Sequence, residues 1–225
     1  MTVAQLQGLT VTKTNGSVIV MVTSNADLSS ISLVHVTEMK VSAVISLTAS
    51  QVTNVNMTML SGGTLTLMVP QTTNLTSSNS VVTAANSIVV SNNAKLILTA
   101  SQASVHRNKI TKQGSGTVEV DVTETLDVQT LTLDGVNTLV VTNAAITMTP
   151  AQAEHFRNTL TKNSATVKVL EAATPSNYTT FHVEQWTFDE LILQNTTLTI
   201  TPSQSHVLST KTVHKTNSTI TMHVS

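Results

Sequence analysis

The chain has 225 residues, 11 basic against 12 acidic side chains, no Cys, four Pro and seven Gly, with 40% hydrophobic, 2% aromatic and 10% charged residues. This excludes a disordered polar tail, which carries more charge and fewer aliphatics, and, without Cys, a disulfide scaffold or thiolate metal site. A net charge of -1 gives a phosphate backbone nothing to hold, so no nucleic-acid partner is expected.

No run of about 18 apolar residues is present, so no transmembrane helix is expected, and no N-terminal basic–apolar–small export signal is visible. With 42 Thr and 30 Val but five aromatics, the composition predicts a narrow core of stacked strands rather than a wide pocketed one.

Along the chain, a short aliphatic strand followed by Thr-x-x-Gln recurs. The copies are Thr2-Val-Ala-Gln5, Thr48-Ala-Ser-Gln51, Thr99-Ala-Ser-Gln102, Thr149-Pro-Ala-Gln152 and Thr201-Pro-Ser-Gln204, with the Gln residues 46, 51, 50 and 52 apart. Each Thr-x-x-Gln reads as a capping box at the start of a short helical turn. Pro150 and Pro202 fall at the first helical position, where a missing N–H costs nothing, so one turn is predicted over Pro150 to Asn158. A small turn and a strand follow each copy: Gly16-Ser-Val-Ile-Val, Gly63-Thr-Leu-Thr-Leu, Gly116-Thr-Val-Glu-Val, Ala165-Thr-Val-Lys-Val and Ser218-Thr-Ile-Thr-Met. Alternation predicts further strands at Lys95–Leu98, Thr117–Asp121, Thr130–Leu133 and Thr138–Val141.

These units divide the chain into repeats near 2-47, 48-98, 99-148 and 149-200 and a half repeat over 201-225. A unit of about 50 residues buries its apolar face only by stacking on its neighbours. The predicted fold is therefore all-β: one β-solenoid of about 4.5 repeats and roughly nine coils, each repeat with a capped helical turn. A row of small β-sandwiches is the rival, and the short period stands against it. The chain begins at Met1-Thr2 inside the motif and ends inside a repeat, so an excised segment or head-to-tail or lateral self-assembly is expected.

The run Ala94-Lys-Leu-Ile-Leu-Thr-Ala-Ser-Gln-Ala103 and its copy Ala145-Ile-Thr-Met-Thr-Pro-Ala-Gln-Ala153 resemble a known repeat. It is the Leu-Thr-Leu-Thr-Ala-Ala-Gln type of β-strand repeat of large bacterial secreted and surface proteins. The resemblance implies a passive extracellular or cell-surface segment of an adhesin, surface layer or filament. It supplies no catalytic residues. The calcium nonapeptide of related proteins is absent, and Gly62-Gly63 stands alone.

Asn177 to Glu190 stands apart from the repeat, with Tyr178, Phe181, His182, Glu184, Trp186, Phe188 and Asp189. On a strand, His182, Glu184, Trp186 and Phe188 would share one face. Tyr178, His182, Glu184 and Trp186 are thus the candidate glycan contact; the reading ranked ahead of it is an insertion that pads a coil, covers a sheet edge or meets a neighbouring subunit. His182-Val-Glu184 lacks the Cys pair of a zinc deaminase. His106, His155 and His206 follow the Gln by four, three and two residues, whereas a ligand row would keep one offset, so no metal is expected. The acidic run Glu119, Asp121, Glu124 and Asp127 reads as a solvated strand face. No nucleophile elbow, phosphate loop or dinucleotide fingerprint is present, so neither an enzyme nor a cofactor is expected.

Thr-x-Thr runs at Thr10-x-Thr12-x-Thr14, Thr64-x-Thr66, Thr130-x-Thr132, Thr147-x-Thr149 and Thr197-x-Thr199-x-Thr201 resemble the ladders of ice-binding proteins, but they fall at different places in the repeat. Six Asn-x-Ser/Thr sequons, at Asn15, Asn56, Asn74, Asn177, Asn195 and Asn217, match what 17 Asn in a Thr-rich chain give by composition alone. The sequence reading is a non-enzymatic structural protein of the cell exterior, with glycan or ice binding as the alternative.

Overall fold

A computed structural model of the protein describes residues 16–172 and 175–224. The Thr2-to-Gln5 motif copy, the Thr10-x-Thr12-x-Thr14 run and the Asn15 sequon lie outside the described residues. The chain divides into two compact units, residues 1–98 with 105–118 and residues 99–104 with 119–225.

Short strands form because aliphatic residues alternate with Thr, Ser, Lys or Glu, so each strand buries one face and wets the other. In the first unit Ile19–Val22, Glu38–Val41 and Asn56–Met59 form a three-stranded parallel sheet. Ala26–Asp27, Val44–Thr48, Thr64–Val69, Ser87–Val90 and Ile110–Lys112 form a five-stranded parallel sheet, and Thr73–Asn74 pairs with Lys95–Leu98. In the second unit the strand Thr117–Val122 pairs from Glu119 onward with Thr138–Thr142, which pairs with Leu160–Asn163. A five-stranded parallel sheet holds Leu126–Asp127, Ala145–Met148, Thr166–Ala172, Glu190–Gln194 and Thr212–Thr216. A three-stranded one holds Ser176–Asn177, Thr197–Ile200 and Thr219–Met222.

In each of these pairings the partner lies 18 to 23 residues further along the chain, as with Glu38 opposite Asn56 and Thr73 opposite Leu96. The intervening stretch holds a strand of another sheet. Parallel pairing needs such a long return. The register stacks like on like: Leu67 lies between Leu47 and Ile88, and Leu191 follows Val169 and Met148. Val20, Val22, Leu28, Met39, Val41, Ile45, Leu47 and Leu65 fill the first core, each contributing roughly 1.5–3 kcal/mol by leaving water.

Five short α-helices sit between the strands among the described residues: α1 Ala49–Asn54, α2 Asn79–Ala84, α3 Ala100–His106, α4 Pro150–His155 and α5 Pro202–Leu208. Corners use left-handed residues, Asn93, Asn143, Asn195 and Asn217 at φ 59, 52, 52 and 50. Asn tolerates that region because its short polar side chain bonds locally. At Gly63 close approach decides the residue, since a Cβ there would stand 2.3 Å from the Val41 carbonyl oxygen.

The expectation of one all-β solenoid is overturned. The strands are dealt into separate parallel sheets, and α-helices are regular components beside them. Among the described residues, successive strands lie in different sheets. The capping boxes start short α-helices, as the sequence predicted. Two smaller expectations change too. Thr130–Leu133 is a turn segment and not a strand, and α4 ends at His155 rather than Asn158.

Candidate functional site

All four described Thr-x-x-Gln copies close a reciprocal cap. The Gln side-chain oxygen accepts the Thr backbone N–H at 2.7 Å for Thr48 and Gln51, and at 2.9 Å for Thr99 and Gln102, Thr149 and Gln152, and Thr201 and Gln204. The Thr hydroxyl accepts the Gln backbone N–H at 3.2–3.4 Å. The Gln amide nitrogen then does a second job. It donates to two carbonyls of the preceding loop: Leu28 and Ile31 from Gln51, Val128 and Leu131 from Gln152, and Tyr178 and Phe181 from Gln204, all at 2.6–3.0 Å.

The loops so pinned share a turn. Asp27, Asn74, Asp127 and Asn177 each accept, through the side-chain oxygen, the backbone N–H two residues on, at 2.9–3.0 Å. The next residue sends its own N–H to a strand carbonyl at 2.9 Å in every case: Leu28 to Ser46, Leu75 to Ile97, Val128 to Thr147, Tyr178 to Thr199. Further on, Val36 donates to Leu33, Val136 to Leu133 and Trp186 to Val183.

The aromatic segment is therefore a copy of the repeat and not an insertion that pads a coil. Tyr178 stands where Leu28 and Val128 stand, and Trp186 where Val36 and Val136 stand. The expectation that His182, Glu184, Trp186 and Phe188 project from one strand face is overturned, because Val183–Gln185 is a 3-10 turn. The genuine addition is small. Val36 and Val136 precede their strands at Glu38 and Thr138 by two residues, whereas Trp186 precedes Glu190 by four.

The rings pack on one another. Trp186 lies 5.5 Å from Tyr178, 5.7 Å from Phe181 and 6.1 Å from Phe188, centroid to centroid, within the favoured range for tilted and edge contacts. Tyr178, Trp186 and Phe188 are buried, and His182 and Glu184 are exposed. Neither Trp186, at 5% exposure, nor Tyr178, at 1%, offers a ring face to a sugar.

At the centre of this cluster stands Glu154, projecting from α4. Its carboxylate accepts the Trp186 indole N–H at 2.8 Å, the His182 backbone N–H at 3.0 Å, the His182 Nδ1–H at 2.7 Å and an Arg157 guanidinium N–H. Burial by itself raises the Glu154 pKa, but these hydrogen bonds outweigh it and hold the group at about 2. Ser104, two residues after Gln102 as Glu154 is after Gln152, accepts the Thr132 backbone N–H in the same way at 3.0 Å.

Tyr178 donates to Glu171 at 3.1 Å, and burial followed by the Glu171 charge pushes its hydroxyl pKa up. Asp189 accepts the Val167 N–H at 2.7 Å and pairs with Lys162. Burial pushes the Asp189 carboxyl up, but the Lys162 and Val167 hydrogen bonds and the Lys162 and Lys211 charges bring it below its ordinary value. Lys211 Nζ lies 5.1 Å from the Phe188 ring centroid.

Chemically, Glu154 is an ionised pin whose lone pairs are taken by donors; it is poised neither to give a proton nor to take one. The three histidines share no site. His106 is buried with Nδ1 unpartnered, its pKa lowered by burial and then by Lys109, His155 Nε2 lies 3.1 Å from the Val136 oxygen, and His206 is exposed. No group of three or more His, Asp or Glu that could hold a metal ion occurs among the described residues. Of the acidic run, Asp127 is taken up by Gln129. Thr197 and Thr199 stack on Thr219 and Thr221 with hydroxyls 3.1 and 3.2 Å apart, a ladder of two rungs.

Open clefts lie beside helix starts among the described residues. One of about 430 Å³ separates Gln129 to Asp134 from α4 at Ala151 and His155; one of about 340 Å³ adjoins Thr48, Ser50 and Asn74; one of about 280 Å³ adjoins Pro150, Tyr178 and Asn177. No helix among the described residues is long and apolar enough to cross a membrane.

No protein-family model, curated protein or solved structure matches this chain. Its class is accordingly the one its own architecture defines: parallel sheets of short strands, joined through capped helical turns and side-chain-closed loops.

Proposed function

We propose that the chain is a non-catalytic structural segment of a bacterial secreted or cell-surface protein, of the adhesin, surface-layer or filament kind, that associates with further copies of itself through its outer strands. The observation that carries this reading is the open edge formed by Thr212–Thr216 and Thr219–Met222. Among the described residues each is the outermost strand of its sheet, paired on one side, and most of its side chains are exposed. Met222 and Val224 are 53% and 77% exposed there. An unpaired edge is a template for another chain. The candidate site supports the same reading, because its ionisable groups are spent on holding loops to helices. The resemblance to the Leu-Thr-Leu-Thr-Ala-Ala-Gln repeats gives the extracellular setting.

The test is negative-stain electron microscopy with sedimentation velocity at roughly micromolar concentration, where association competes with dilution. Uniform fibres or concentration-dependent oligomers are expected. A Met222→Lys, Val224→Lys double variant, which adds charge to the edge without touching a core side chain, is expected to remain monomeric with an unchanged circular dichroism spectrum. A wild-type chain that stays monomeric throughout, or a double variant that assembles as well as wild type, would remove the proposal.

A further inference from the structure

The sequons are equivalent in sequence and unequal in structure. At Asn74 the side-chain oxygen accepts both the backbone N–H and the hydroxyl of Thr76, at 2.9 and 2.8 Å. At Asn177 it accepts both from Thr179, at 3.0 and 2.7 Å. Both Asn residues are exposed, and neither Nδ2 donates to a partner among the described residues. Each adjoins one of the open clefts, of about 340 and 280 Å³.

The other described sequons lack this arrangement. Asn56 opens the extended strand Asn56–Met59, with no bond to Thr58. Asn195 and Asn217 sit at left-handed corners and are tied to each other, the Asn217 Nδ2 donating to the Asn195 side-chain oxygen at 3.3 Å. Their third residues, Thr197 and Thr219, turn their hydroxyls toward each other instead, 3.1 Å apart.

From these differences the geometry points to Asn74 and Asn177 as N-glycosylation acceptor sites of the folded chain. In the transfer, Nδ2 attacks the anomeric carbon of a sugar carried on a diphosphate. The C–N bond forms as the C–O bond to the diphosphate breaks, the diphosphate leaves with the bonding pair, and one amide proton passes to a base of the transferase. The closed turn favours this step twice over. Two donors on Oδ1 draw density from the amide and make its N–H more acidic. They also hold the side chain in one rotamer with Nδ2 outward, so little orientation remains to be lost on reaching the transferase. Asp27 and Asp127 close the same turn in the alternate repeats and carry no nitrogen to modify. The inference goes beyond the structural reading above and stands or falls separately from it.

The folded full-length chain is incubated with a soluble asparagine glucosyltransferase and UDP-glucose, and occupancy at each sequon is followed by peptide mass mapping. Asn74 and Asn177 are expected to fill at least about tenfold faster than Asn56, Asn195 and Asn217. In isolated peptides carrying the same sequons the rates should lie within about threefold, because the turn is no longer held. Asp27→Asn creates an Asn-Leu-Ser sequon in a turn whose Ser29 N–H already meets position 27 at 3.0 Å, and should gain a third fast site. Equal rates at all sequons of the folded chain, or unmodified Asn74 and Asn177 when their peptides are modified, would overturn the assignment.

Discussion

Glu154 carries more of the local structure than any other single side chain, because four N–H groups from three residues converge on it. Its removal would leave the mostly buried Trp186 indole N–H and the His182 backbone N–H without acceptors. Glu154→Ala should therefore cost about 2–3 kcal/mol, the range for orphaning donors that met a charged partner. Urea denaturation followed by the emission of Trp186, the single Trp of the chain, measures this directly. The pH dependence follows from the same contacts. The folded pKa of about 2 lies below the ordinary value of 4.5, so the stabilisation is complete above pH 4.5 and is lost as pH falls toward 2. Urea midpoints measured between those limits should fall for wild type and fall less steeply for Glu154→Ala. Parallel curves would mean that Glu154 is not the titrating group.

At the level of elements, the capping box is half of a larger device. Thr149→Ala loses one cap, worth about 1 kcal/mol. Gln152→Ala loses its half of the cap and also both bonds from Nε2 to Val128 and Leu131. It should cost about twice as much and raise hydrogen exchange in the 128–136 loop, which Thr149→Ala should leave protected. Equal effects of the two substitutions would show that the loop does not depend on the Gln. The capping half was legible in the sequence because Thr and Gln three apart satisfy each other within one turn of chain. The loop half was not, since its partners lie 20 to 26 residues away and a carbonyl leaves no mark in a sequence. A trace was present all the same: Asp27, Asn74, Asp127 and Asn177 recur with the period of the Gln residues, each followed by an apolar or aromatic side chain. Because Tyr178, Phe181 and Trp186 replace aliphatics there, the fourth copy looked foreign when only its side-chain chemistry had changed. The strands at Lys95–Leu98 and Thr138–Thr142 were legible from alternation. Their division into separate sheets was not, because corner residues such as Asn143, rather than the strands, decide where the chain goes next.

Across the whole molecule, charge does little. The ion pairs among the described residues are few, and pairs such as Lys40 with Glu38 and Lys162 with Asp189 keep about a third of each side chain in water. Exposed pairs of this kind contribute roughly 0–1 kcal/mol each and are screened by salt. Stability rests on aliphatic rows and backbone ladders, which salt does not screen. Raising ionic strength from about 0.05 to about 0.5 M should consequently shift the unfolding free energy by less than about 1 kcal/mol. Association through the Thr212–Thr216 and Thr219–Met222 edges should be equally indifferent, because backbone groups and neutral Thr side chains supply most of the contact. Sedimentation velocity across that salt range distinguishes the cases. An oligomer that dissolves as salt rises would place the contact on charged side chains such as Lys215, and backbone pairing at the strand edge would no longer account for self-association. A salt-independent oligomer that the Met222→Lys, Val224→Lys variant abolishes leaves the strand edge as the contact, since both substitutions fall at or just after Thr219–Met222, where each replaces an exposed apolar side chain with a charged one.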